Sequence, residues 1–229
     1  MPETRDLNDL LDAALAHVAF DGWSDESFAA GAADLGLSLE DARVLAPRAA
    51  LDLAIAFHRR GDRAMVEAIE KADFSELRYS EKVSKALQLR IEAMTDREAV
   101  RRATTLFALP VYAPEGARLI WETADHVWNA LGDTSTDGNW YSKRATLSAV
   151  WASVVLYWLG DDSPGYVKSF EFIDRRIENV MQIEKLKGQL RKNPVTKPFM
   201  DLQSTFFSKL RAPGGSDVSD LPGTWKDSA

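Results

Sequence analysis

Residues 29–47 read AAGAADLGLSLEDARVLAP, and this stretch decides the fold class. A helix-forming run leads into a turn that contains Gly36, and Ser38 then precedes Glu40 and Asp41. A serine followed by acidic residues is a common helix start, because its side-chain oxygen accepts free backbone N–H groups and the acids complement the helix dipole. The stretch therefore predicts two short helices joined by a tight turn.

The remainder of the chain has the spacing of helices. Apolar residues recur at helical intervals at Ile120, Ala124, Val127 and Leu131, and the pattern stops at Gly132. There is no clear alternating strand pattern and no repeat. The first sixty residues, with three short helices and a longer fourth, resemble the helix-turn-helix region of tetracycline-repressor-type regulators. We therefore predict an all-α fold, a tetracycline-repressor-like helical bundle with a helix-turn-helix-like subdomain in residues 1–60.

The charge of this subdomain argues against DNA binding. Between Phe20 and Pro47 there are six acidic residues and one basic residue, Arg43. The second helix of the motif opens with Glu40 and Asp41. Because lysine and arginine contacts to phosphate supply most nonspecific DNA affinity, this surface should repel a duplex. We predict no nucleic-acid partner and keep a ligand-sensing transcription regulator as the alternative function.

The composition restricts the chemistry. The chain of 229 residues has no cysteine, which excludes disulfides, thiolate metal sites and cysteine nucleophiles. No phosphate-binding loop or nucleophile elbow is present. Glu122, Asp125 and His126 share one helix face and could in principle hold a metal, but such a trio is usually polar surface. We predict a protein that is not an enzyme, with no metal and no cofactor.

No secretory signal and no apolar run long enough to span a bilayer is found, which predicts a cytoplasmic protein.

A second stretch, GDTSTDGNWYSKR at residues 132–144, has more polar and aromatic residues than a helix junction needs. Gly132 can end one helix and Asp137 can cap the next. Trp140 and Tyr141 are about 100° apart around a helix, so one core seam does not easily take both rings. Exposed aromatics beside arginine are typical of binding hot spots. A structural junction remains the alternative explanation.

This motif, together with HVAFDGWS at residues 17–24 and FIDRRIENVM at residues 172–181, resembles the ubiquinone (coenzyme Q) biosynthesis accessory protein family, the ninth named component in eukaryotes. The resemblance covers about residues 7–185. It implies a repressor-like fold that binds isoprenoid lipid and presents a prenylated quinone precursor to a di-iron hydroxylase. It also implies that the central motif contacts the hydroxylase, through the partner-binding positions Asp137, Trp140, Tyr141, Lys143 and Arg144.

An isoprenoid chain needs a long apolar cavity with few polar groups, and the central helices offer large apolar side chains for one. The ordinary alternative is that these side chains fill a core. We predict residues 61–185 as the lipid-binding domain, with these contacts: Phe107, Leu109, Ile120, Trp128, Trp151, Val155 and Trp158.

The C-terminal segment is basic, although the whole chain carries a net charge of −7. Residues 185–211 contain seven basic residues and one acidic residue, which gives +6 and leaves −13 elsewhere. We predict a linker at 186–196, an amphipathic membrane-associating helix at 197–212 and a disordered tail at 213–229. With this helix on the membrane, the protein would be peripheral to the inner membrane. Docking on protein is the alternative for this helix. We also expect a homodimer. The predicted membrane-binding residues are Phe199, Met200, Leu202, Phe206, Phe207 and Leu210.

Overall fold

The computed structural model describes the backbone of residues 5–136 and 138–192, and side chains as far as residue 183. Across these ranges every regular element is a helix, which confirms the all-α prediction. The helices are α1 (Leu7–Asp21), α2 (Asp25–Asp34), α3 (Leu39–Leu45), α4 (Ala50–Lys71), α5 (Tyr79–Glu92), α6 (Arg97–Ala108), α7 (Ala113–Ala130), α8 (Gly138–Leu159) and α9 (Val167–Lys192). A 3-10 helix, Pro164–Tyr166, precedes α9.

The helix-turn-helix is formed by α2 and α3, as predicted from residues 29–47. The Ser38 side chain accepts a hydrogen bond from the backbone N–H of Asp41, which caps α3. Gly36 takes a positive φ of 67° in the turn, a conformation that costs glycine little. Local sequence signals therefore account for this part of the fold.

Two hydrophobic cores are joined by α4 and α6. The first core lies among α1, α2, α3, the start of α4 and one side of α6, and the second lies among α4, α5, α7, α8 and α9, with Val100 of α6. Leu53 on α4 belongs to the first core, and Met65 on the same helix belongs to the second. The boundary that we predicted at residue 60 therefore lies inside α4.

The last described helix is longer than the sequence pattern suggested. α9 continues to Lys192, so residues 186–192 of the predicted linker are helical. The predicted membrane-associating helix 197–212 and the tail 213–229 lie outside the described residues. Within the described ranges, no helix is both long and apolar enough to cross a bilayer.

Candidate functional site

An apolar cavity of about 630 Å³ lies between α4, α5, α6, α7 and α8. Its volume is within the range of about 300–1,000 Å³ that is usual for small-molecule sites. Leu156 forms part of the wall and is also 63% exposed, so the cavity wall reaches the protein surface at this residue. The apolar part of the wall includes Phe57, Met94, Val100, Phe107, Ile120 and Val155.

Four of the seven predicted lipid contacts line this cavity. They are Phe107, Ile120, Trp151 and Val155. The wall is built by helices that approach each other closely: a Cβ added to Gly116 would lie 2.7 Å from Phe107 Cβ. A glycine at this position of α7 therefore allows α6 and α7 to pack around the cavity.

The other three predicted contacts lie elsewhere. Leu109 is 48% exposed at the end of α6. Trp128 is on another face of α7, where its ring stacks on Tyr79 at a centroid distance of 5.8 Å. Trp158 is fully buried and packs against Tyr166 in the second core. Because each helix packs against more than one neighbour, helical spacing alone did not separate cavity wall from filled core.

A buried polar network forms one side of the cavity. Arg90 on α5 donates from Nε to Asp62 Oδ1 at 2.7 Å and from Nη2 to the carbonyl oxygen of His58 at 3.0 Å. Thr123 donates to Asp62 Oδ1 at 2.9 Å, and His58 Nε2 lies 2.9 Å from Thr123 Oγ1. Arg90 and His58 are both part of the cavity wall.

This environment fixes the charges of the network. Burial lowers the pKa of His58 to about 4, so the imidazole is neutral near pH 7. Burial would raise the pKa of Asp62, but the neighbouring imidazoles of His126 and His58 and the guanidinium of Arg90 outweigh burial and hold this pKa at about 2. The network therefore contains an ionised Asp62–Arg90 pair and a neutral His58.

The central motif is organised around Arg144, a predicted partner-binding position whose side chain is buried. Arg144 is 1% exposed. Its guanidinium donates to Asp125 Oδ1, to Asp133 Oδ2 at 3.1 Å and to Asn129 Oδ1 at 3.0 Å. The guanidinium also lies 4.0 Å from the centroid of the Trp140 ring. Arg144 thus joins the end of α7, the following loop and the start of α8.

Lys143 complements this arrangement from the surface. Its Nζ donates to Asp133 Oδ1 at 2.7 Å and to Ser135 Oγ at 2.8 Å. Burial opposes ionisation of Asp133, but hydrogen bonds from Lys143, Ser135 and Arg144 lower its pKa overall. Asp133 is therefore an acidic partner shared by both cations.

Trp140 and Tyr141 form an aromatic cluster with Trp121 of α7, which the sequence analysis did not identify. The ring centroids of Trp140 and Tyr141 are 4.7 Å apart in an edge-to-face arrangement. Trp121 lies 5.9 Å from Trp140 and 6.5 Å from Tyr141. All three residues are half-buried, so each contributes part of its ring to the surface. Asp137 lies outside the described residues.

The residues considered as a metal trio have other partners. Glu122 accepts two hydrogen bonds from Arg59, and Asp125 binds Arg144. His126 Nδ1 lies 3.7 Å from Asp62 Oδ2, and the nearby Asp62 carboxylate raises the pKa of His126. In the part of the chain that the structure describes, no three such side chains are placed to hold a metal ion.

The family model described as COQ9 matches residues 113–184, which contain α7, α8 and most of α9. The resemblance to the COQ9 family is thereby confirmed. The ubiquinone biosynthesis protein COQ9, mitochondrial, of Homo sapiens is 28% identical over 190 residues, which are 80% of this chain and 59% of the human protein. The COQ9-A protein of Xenopus laevis is 31% identical over 180 residues, which are 75% of this chain and 56% of that protein. The chain thus spans less than two thirds of the length of these relatives.

A solved structure supports the fold. The TetR transcriptional regulator of Nitrosomonas europaea superposes with a TM-score of 0.62, over 75% of this chain and 95% of that one. Sequence identity is 20%, so this similarity concerns the fold alone. The tetracycline-repressor-like architecture predicted from the sequence is confirmed.

Proposed function

We propose that this protein is a non-catalytic accessory protein of ubiquinone biosynthesis, which binds an isoprenoid lipid and presents a prenylated quinone precursor to a di-iron hydroxylase. The observation that carries the proposal is the apolar cavity, which lies in a chain similar to proteins named for ubiquinone biosynthesis. A protein that binds a lipid needs a cavity with mostly apolar walls and few polar groups, and this cavity meets that requirement.

The test fills the cavity without adding charge. Val155→Trp places a large ring on the cavity wall, and Leu109→Trp makes a comparable change at a position that is not on the wall. Mass spectrometry of lipid extracted from the purified proteins should find isoprenoid lipid in the wild type and Leu109→Trp, and at least about tenfold less in Val155→Trp. Equal lipid content in both folded variants, or no isoprenoid lipid in the wild type, would refute lipid binding in this cavity.

For the hydroxylase, we propose the half-buried aromatic cluster of Trp121, Trp140 and Tyr141 as the contact surface. Partly exposed aromatic rings held by a rigid support are frequent binding hot spots. The support here is the Arg144 network beneath Trp140. Lys143, whose side chain is 34% exposed, lies close enough to contribute charge at the edge of this surface.

Tyr141→Ala should weaken binding to the purified di-iron hydroxylase by about 2 kcal/mol, the typical cost at a hot spot. Tyr157→Ala is the matched control, since Tyr157 is a half-buried tyrosine of α8 that stacks on Phe172 of α9. Unchanged hydroxylase affinity for a folded Tyr141→Ala protein, measured by calorimetry, would remove this contact from the proposal.

Membrane association and dimer formation complete the proposal. The basic composition of residues 185–211 supports attraction to an anionic membrane, at about 1 kcal/mol for each lysine or arginine near the surface. Deleting residues 197–229 should therefore weaken co-sedimentation with anionic liposomes, and raised salt should have the same effect on the full chain. Sedimentation equilibrium should give the mass of a homodimer. Liposome binding that is unaffected by both the deletion and salt would refute membrane association through this segment. A monomer mass would refute the homodimer.

A further inference from the structure

Arg90 has a hydrogen-bonding group that no residue in the described part of the chain uses. Nε donates to Asp62, and Nη2 donates to the carbonyl oxygen of His58. Nη1 makes no hydrogen bond to any residue in the described part of the chain. Arg90 is only 2% exposed and forms part of the cavity wall. A charged donor at a cavity wall that has no partner in the described chain can bind an acceptor supplied by a ligand.

The guanidinium is held in a fixed position at the cavity. Its central carbon lies 5.5 Å from the ring centroid of Trp151, which is also part of the wall. A Cβ added to Gly61 would lie 2.4 Å from Nη1. A glycine inside a helix is less favourable than alanine. In α4 this glycine leaves the space that Arg90 occupies.

The charge balance selects the kind of acceptor. The Arg90 charge is already compensated by Asp62, whose side chain is 1% exposed. A carboxylate or phosphate beside Nη1 would bury a second negative charge near Asp62, which is unfavourable in a medium of low polarity. A carbonyl, ether or hydroxyl oxygen accepts the same hydrogen bond without adding charge.

We infer that Arg90 is the headgroup-binding residue of the cavity, and that its Nη1 donates to an uncharged oxygen atom of the bound lipid. The inference rests on the proposed lipid binding and adds the class of headgroup. A ligand with an oxygen-substituted ring and an apolar chain would place the ring beside Arg90 and Trp151. Its chain would lie among the apolar wall residues that lead to Leu156. Gly61 and Asp62 are positioning residues for the guanidinium.

The test compares three probes that share an apolar chain: decylubiquinone, dodecylbenzene and palmitate. Arg90→Lys retains the positive charge beside Asp62 and removes the second arm of the guanidinium. Arg97→Lys is the matched control, because Arg97 also lies over a tryptophan ring, that of Trp158, but is not part of the cavity wall. Affinities are measured by quenching of tryptophan fluorescence and checked by calorimetry.

The wild type and Arg97→Lys should bind decylubiquinone at least about tenfold more tightly than dodecylbenzene, as expected for one hydrogen bond to a charged donor. Arg90→Lys should lose this preference and retain its affinity for dodecylbenzene. If Arg90→Lys does not fold, the double variant Asp62→Leu/Arg90→Met removes both charges together, a change that buried pairs often tolerate. The same loss of preference is expected for the double variant.

The outcomes separate the two proposals. Absence of binding of all three probes by the wild type would refute lipid binding in the cavity and the headgroup inference with it. Binding of dodecylbenzene with unchanged decylubiquinone preference in a folded Arg90 variant would refute only the role of Arg90. Tighter binding of palmitate than of decylubiquinone would overturn the inference of an uncharged acceptor.

Discussion

Replacing Arg144 by methionine should destabilise the fold by about 3 kcal/mol. Arg144 makes hydrogen bonds to Asp125, Asn129 and Asp133, and the Asp133 side chain is only 2% exposed. Removing one partner of a buried ion pair costs about 3–5 kcal/mol, because the other charge stays buried without compensation. Asp133 keeps Lys143 and Ser135 as partners, which places the expected cost at the lower end of this range.

The neighbouring lysine gives a matched control. Lys143 also contacts Asp133, but its side chain is 34% exposed, so solvent screens the pair. Lys143→Met should cost about 1 kcal/mol or less. For a chain of this size, each 1 kcal/mol lowers the melting temperature by about 2–4 °C. Arg144→Met should therefore melt about 6–12 °C below the wild type, and Lys143→Met no more than about 4 °C below it.

Calorimetry and urea unfolding measure both values. If the stranded charge is the cause, adding Asp133→Asn to Arg144→Met should recover part of the lost stability, since the uncompensated carboxylate is gone. Equal destabilisation by Arg144→Met and Lys143→Met would refute the reasoning. A positive result also means that weak hydroxylase binding by an Arg144 variant could arise from a disturbed support, so Tyr141→Ala is the cleaner test of the surface.

The remaining predictions concern pH, a helix start and DNA. The pKa of His58 falls from 6.5 unfolded to about 4 folded, so stability is fully present above pH 6.5 and decreases by about 1.4 kcal/mol per unit as pH falls toward 4. His126 has a raised pKa, so its contribution to the free energy of unfolding changes with pH in the opposite direction. Urea unfolding at several pH values is therefore measured in a His126→Asn background. There His58→Gln should reduce the change of unfolding free energy between pH 6.5 and 5, and an unchanged pH dependence would contradict the assignment. Asp161→Ala should lower the free energy of unfolding by about 2 kcal/mol, because this buried carboxylate accepts hydrogen bonds from the backbone N–H groups of Ser163 and Ser169. Asp162→Ala is the control and should change the melting temperature little, since the Asp162 side chain is 93% exposed. Similar losses of stability in both variants would refute the capping role. Gel-shift assays at low salt should show no retardation of duplex DNA, since Glu40 and Asp41 lie in the first turn of α3; saturable binding would favour the transcription-regulator alternative.

Several helix ends depend on local chemistry and could be predicted from the sequence alone. Ser38 caps α3, Asp96 caps α6, and Gly132 takes a positive φ of 75° after α7. Each of these signals acts over one helical turn, so it can be recognised without knowledge of the rest of the fold. The resemblance to one family also depended on the order of residues along the chain, in the three stretches quoted above.

The cavity and its polar wall were decided only by the tertiary structure. Trp128 and Trp151 both lie on strongly apolar stripes, but only Trp151 reaches the cavity, because a helix in a bundle contacts different neighbours on different faces. Asp62 and Arg90 are 28 positions apart, and no local pattern relates them.

Arg144 shows the same division within a single motif. The sequence identified the motif, but it did not reveal that the guanidinium is buried between α7 and α8. Its partner Asp125 lies 19 residues earlier and reaches Arg144 only when the two helices pack. Burial of a charge depends on which surfaces meet, and that depends on the packing of the whole bundle rather than on its separate helices.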